Sequence, residues 1–140
     1  MGDMEDKIRF LLEADKLKTV ERIIDTSLPG RMESSAEHTY SSLLLAMAFR
    51  NEIIKDFPEI SYSRLFELIL VHDQPEVYAG DVSLFDTEAR KFKREKEINA
   101  AQKLFSILPK PESSYFYIAW REYEARESLE AKVAARIDKL

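Results

Sequence analysis

This 140-residue sequence predicts an all-α bundle of about six helices, and three observations carry that reading. Apolar residues recur at three- and four-residue spacings, and the alternation that marks strands is absent. Only three glycines and five prolines are available to interrupt helices. Those prolines, together with capping residues, fall between the apolar segments and mark where helices start and stop. The length suits one domain spanning residues 1–140, enough to bury a substantial core.

Each element has its own local reason. Residues 4 to about 24 read as a first helix, with Ile8, Leu11, Leu12 and Leu17 or Val20 as its buried stripe. "TSLPGR" then turns the chain. Ser34 and Glu37 stand at capping-box spacing, so a second helix starts near Ser35 and runs to about Asp56, with Pro58 beyond it. A third helix covers Ser63 to Asp73 and is stopped by Pro75. "GDVSLF" is a loop, followed by a long polar helix from about Thr87 to Ile107. "LPKPESS" leads into a fifth helix over Tyr115 to Arg126, and a sixth begins near Ser128 and continues to Leu140. The basic run "ARKFKREKE" reads as a solvated helix face, and no internal repeat is present.

Composition removes several kinds of chemistry. There is no cysteine, which excludes disulfides, thiolate zinc sites and cysteine nucleophiles. Any metal must therefore be held by histidine, carboxylate or backbone oxygen. Apolar residues make up 45% and charged residues 34%, an ordinary soluble profile with no stretch long enough to span a bilayer. The opening "MGDMEDKIRF" is acidic and amphipathic, unlike a secretory signal, so a cytoplasmic location without membrane attachment is expected. A net charge of -5 without a dense basic patch argues against a nucleic-acid surface. A small anionic substrate remains compatible, because a bound cation reverses the local field.

The chain has two histidines, and both stand beside an acid. His38 lies in "SSAEHTYSS", with Ser41, Ser42 and Leu45 one turn on, so small side chains leave room above its ring. His72 follows Leu68 and Ile69 by four and three residues, which puts it on an inward stripe next to Asp73. Asp138 follows Ala134 and Ala135 at the same spacings, on a face whose alanines mark close packing. Taken singly, a histidine of this kind is usually a core residue bonded to a carbonyl, and a helix-end acid is usually a cap or a solvated group. Taken together, two histidines and two carboxylates suit Mn, Fe, Co, Ni, Zn or Mg. Spacing alone does not bring their three helices together, and at this level both readings stand.

His38, the pair His72-Asp73 and the distal Asp138 resemble the H…HD…D signature of the HD-domain metal-dependent phosphohydrolases. The likeness extends through "FLLEADKLKTVERI", "RMESSAEHTY", "VHDQPEVYAGD", "REKEINAAQKLFSILP" and "WREYEARESLEAKVAARIDKL", in order and over nearly the whole chain. These blocks are similar to the branch that includes bacterial and eukaryotic 5'-deoxynucleotidases. The resemblance implies an HD-domain helical bundle in which His38, His72, Asp73 and Asp138 ligate a divalent cation. It implies that Glu76 handles the attacking water, that Asp81 lies near the sugar or a water network, and that Arg22 lies near the substrate phosphate.

The activity that the resemblance implies is hydrolysis of nucleoside 5'-monophosphates to nucleoside and phosphate, by a homodimer. Another phosphomonoesterase or phosphodiesterase with the same ligands is the alternative, as is a non-catalytic nucleotide-binding regulator. Trp120, Tyr117 and Tyr123 serve equally as core aromatics or as subunit contacts. Two departures from the branch stand out. Ile23 occupies a position where an aromatic commonly follows the arginine, and family chains usually continue well past the "DKL" that ends here at Leu140.

Overall fold

The fold is that of a computed structural model, which describes residues 2–22, 31–79 and 87–140, with the backbone alone for 87–91. Ile23, Asp81, the "GDVSLF" loop and most of the "TSLPGR" turn lie outside the described residues. The described chain is all-α. Its helices are α1 (Asp3–Ala14), α2 (Ser35–Ala48), α3 (Arg50–Asp56), α4 (Tyr62–Val71), α5 (Glu76–Ala79), α6 (Thr87–Phe105), α7 (Glu112–Ala125) and α8 (Leu129–Asp138). A 3-10 turn, Asp15–Thr19, follows α1.

Helix α4 is the centre, and α2, α7 and α8 pack around it. Leu65, Leu68, Ile69 and Val71 make α4 apolar on its inner side. The Ser61 hydroxyl caps its start by accepting the Arg64 N–H. Helix α8 approaches closely through Ala131, Ala134 and Ala135, all buried, as the alanine spacing predicts. Its cap is Ser128, which accepts the Ala131 N–H at 3.1 Å. The turn before it is formed by Arg126, a non-glycine residue at φ 54° that closes α7 in the left-handed region. Leu104, Phe105 and Trp120 complete the core from α6 and α7.

Three local expectations are corrected. The first helix ends at Ala14, and Val20–Arg22 is extended instead. The Arg22 N–H donates to the Glu33 carbonyl at 2.7 Å and the Ser35 N–H to the Val20 carbonyl at 2.8 Å, which laces this segment to the start of α2. The buried face of α1 is also different: Ile8 (50%), Leu11 (64%) and Leu12 (69%) are exposed, while Phe10 and the expected Leu17 are buried. Phe10 docks between Phe105 and Phe116, and three rings in contact outweigh an aliphatic stripe in choosing the face.

The second helix bends at Phe49, which separates α2 from α3, although backbone hydrogen bonds run through the bend. The Tyr62 hydroxyl donates to the Ala46 carbonyl just before it.

Candidate metal centre

Four predicted residues meet at the inner end of the bundle. His38 comes from the first turn of α2, whose capping box is formed by Ser34 and Glu37 as expected. His72 is the C-cap of α4, Asp73 follows it in the turn before Pro75, and Asp138 ends α8. One ligand atom from each lies within 4.8 Å of all the others. His38 Nε2 is 2.6 Å from Asp138 Oδ1, and His72 Nε2 is 3.1 Å from the same oxygen. Asp73 Oδ2 stands 3.2 Å from His72 Nε2.

A carbonyl oxygen only accepts, so the contact of His72 Nδ1 with the Ile69 carbonyl puts the ring proton on Nδ1. In a neutral ring Nε2 then presents its lone pair to two carboxylates. Histidines that ligate metals are held in this way by a hydrogen bond through the other nitrogen. Charge accumulates accordingly. Burial opposes the cationic form of His72, yet Asp73 and Asp138 outweigh it and hold the imidazole well above its usual range. Burial likewise opposes ionisation of Asp73 and Asp138, but His72 and a hydrogen bond with Glu76 hold the first carboxyl, and His38 with His72 the second, below the ordinary carboxylate range.

The donor set accepts a divalent cation readily. Asp73 Oδ2 is buried without a well-formed hydrogen bond, His72 Nε2 at 3.2 Å and Arg22 Nη1 at 4.0 Å being its cationic neighbours, a costly state for a carboxylate oxygen. A proton on His72 can serve only its immediate neighbours. A cation gives all four lone-pair atoms one positive centre, and a mixture of nitrogen and oxygen donors without sulfur suits that role.

Two more predicted residues stand at this cluster. Arg22, held by the backbone pairing to Glu33, places Nη1 4.0 Å from Asp73 Oδ2 and Nε 3.4 Å from Glu33 Oε2. Glu76 opens α5, with its N–H donated to the Asp73 carbonyl at 3.0 Å. Asp81 lies outside the described residues. Glu33 was not singled out in the sequence, yet its Oε2 is also 3.7 Å from His38 Nδ1. A glutamate five residues before a histidine carries no local signal of that contact.

The cluster opens into a cavity of about 1110 Å³ that Arg22, His38, Asp73, Glu76 and Asp138 line together. Lys93, Arg94 and Glu97 from α6, with Trp120, Arg121 and Glu124 from α7, line it as well. The "ARKFKREKE" helix face is therefore only partly solvated: Phe92, Arg94, Glu95 and Lys96 are exposed, whereas Lys93 and Glu97 are half-buried. Trp120 and Tyr123 are core aromatics, the Tyr123 ring centred 5.0 Å from that of His72, and Tyr117 is half-buried beside Trp120.

Burial and a hydrogen bond to Glu124 push the Glu97 carboxyl up to about 7, against a smaller opposing effect of Lys93. A carboxyl raised in this way favours the folded state below its unfolded pKa, and that advantage is lost as pH rises through about 7. Glu97→Gln is therefore expected to lose less thermal stability than the parent protein between roughly pH 5 and 8. Parallel losses in the two melting series would show that Glu97 ionises normally.

Comparison with known proteins places the fold. A family model described as "HD domain" matches residues 14–140. The chain belongs to the HD-domain family. Among its HD-domain relatives is the human 5'-deoxynucleotidase HDDC2, 32% identical over 108 residues, which are 77% of this chain and 50% of the human protein. The crystal structure of a predicted metal-dependent phosphohydrolase from Magnetospirillum magnetotacticum superposes with a TM-score of 0.83 at 30% identity, covering 97% of this chain and 68% of that one. An HD-domain phosphohydrolase from Listeria innocua shares the fold, with a TM-score of 0.75 at 24% identity, over 94% of this chain and 64% of that one. This HD-domain chain spans about half the length of the bovine and human relatives it matches. Among the described residues, no helix is long and apolar enough to cross a membrane.

Proposed function

We propose that this chain is a metal-dependent phosphohydrolase acting on nucleoside 5'-monophosphates, with deoxyribonucleotides preferred. One observation carries the reading: a two-histidine, two-carboxylate cluster shares a cavity with Glu76 and Arg22. The names of the human and Magnetospirillum relatives point the same way. His38, His72, Asp73 and Asp138 would hold a divalent ion from the group Mn, Fe, Co, Ni, Zn and Mg. Bound there, such an ion polarises a phosphoryl oxygen and makes water easier to deprotonate.

The remaining work falls to side chains of this chain. Glu76 accepts a proton from water as the water oxygen adds to phosphorus in line with the ester bond. That P–O bond breaks, the proton taken up by Glu76 passes to the leaving nucleoside oxygen, and inorganic phosphate is the other product. Arg22 presents a planar set of N–H donors beside Asp73, where it can hold a phosphate oxygen. Asp81 is assigned to the sugar by the resemblance alone. With Ile23 in place of an aromatic, base selection is expected to be loose. A cytoplasmic homodimer belongs to the same reading, and mass by light scattering checks the dimer.

Phosphate release from the eight common ribo- and deoxyribonucleoside monophosphates, with Mn, Co or Mg added, tests the proposal. Turnover of several, deoxy forms fastest, is the expected result. No release from any of them would overturn the nucleotidase reading and favour another phosphoester or a regulatory nucleotide-binding role. Arg22→Ala is expected to raise KM and lower kcat, since a charge-assisted bond to phosphate contributes about 1.5–3 kcal/mol. An unchanged kcat/KM in that variant would remove Arg22 from phosphate binding.

A further inference from the structure

Ser35 is completely buried, and its hydroxyl donates to Glu76 Oε1 at 2.6 Å across 41 residues of sequence. Its backbone is held on both sides: the N–H donates to the Val20 carbonyl at 2.8 Å, and the carbonyl accepts the Thr39 hydroxyl at 3.1 Å. A serine fixed in this way cannot follow a moving partner, so the partner must come to it. Three residues further along the same helix face is His38, a member of the candidate metal cluster. Glu76 is tied to the cluster from its other side by its N–H bond to the Asp73 carbonyl.

We infer that Ser35 is a positioning residue for Glu76, setting the angle and distance at which that carboxylate meets the reacting water. The inference rests on the proton-accepting role proposed above for Glu76. The terminal torsion of a glutamate is broad and weakly restrained by itself. A short hydrogen bond from an immobile donor narrows it. One turn of α2 thus carries both a candidate metal ligand and the hydroxyl that aims the base, so their separation is set by helix geometry. A buried hydroxyl would cost free energy at an apolar packing position unless its acceptor is kept in place.

Steady-state kinetics on the fastest of the eight monophosphates, with metal content and melting temperature measured alongside, test this in four proteins. They are the parent, Ser35→Ala, Glu76→Ala and the double variant. Ser35→Ala is expected to lower kcat roughly 10- to 100-fold, the scale of a misplaced catalytic group, while KM and metal content stay unchanged. In the Glu76→Ala background the same change is expected to alter kcat by less than about twofold, because the two residues act as one unit. A parental kcat for Ser35→Ala beside an impaired Glu76→Ala would overturn the role of Ser35 alone. So would a loss of kcat that persists undiminished in the Glu76→Ala background, or one that follows lost metal. A fully active Glu76→Ala enzyme, or no turnover by the parent, would overturn the Glu76 reading and this inference with it.

Discussion

Replacing His72 with alanine is expected to abolish metal retention and to destabilise the metal-free protein. The imidazole is buried between Asp73 and Asp138, with its Nε2 3.2 Å from the first carboxylate and 3.1 Å from the second. Without it, two acids face one another in a poorly solvated pocket with only His38 and the more distant Arg22 to offset them. Removing one partner of a buried charged set costs about 3–5 kcal/mol, and the contact with the Tyr123 ring is lost as well. Denaturant melts after chelation measure the loss of stability. Elemental analysis of protein purified in the presence of Mn or Co measures metal retention, since metal binding and folding are linked. A His72→Ala protein that kept as much metal as its parent would show that the cluster is not the metal site.

Glu76→Ala should behave in the opposite way: metal and fold retained, turnover lost. The carboxylate touches the cavity, the Ser35 hydroxyl and the Asp73 carboxyl but is not one of the four clustered ligands. Removing a general base lowers kcat by about 10²–10⁴-fold. Nucleotide affinity, read by titration calorimetry on the metal-loaded protein, is expected to stay near that of the parent. An unchanged kcat would exclude Glu76 from proton transfer. Lost metal together with lost turnover would make it a ligand or a structural support instead.

The helices were legible because their signals are local. The Ser34–Glu37 capping box, Pro75 after α4 and Ser128 before α8 each act within a turn of the residues they organise. The face that α1 buries differs from the expected one because amphipathic spacing shows that a helix has an apolar side without showing which side is used. Phe10 chose it by meeting Phe105 and Phe116, more than ninety residues away. Val20–Arg22 departs from the expected helix for a related reason. Its extended backbone is held by Glu33 and Ser35, partners that no window centred on Arg22 contains.

The site divides along the same line. Residue type and inward spacing marked His38, His72, Asp73 and Asp138, and the family resemblance supplied Glu76 and Arg22. What the sequence by itself determined was therefore the all-α class, most helix limits and the chemical nature of the donors. Only the tertiary structure decided that His38 and Asp138, a hundred residues apart, come within 2.6 Å. It also decided that Glu33 faces His38, that Glu97 meets Glu124 on the cavity wall, and that Ser35 holds Glu76. The physical reason is one of range. Helix propensity and capping act over three or four residues, whereas convergence of α2, α4 and α8 depends on which apolar faces fill the core together.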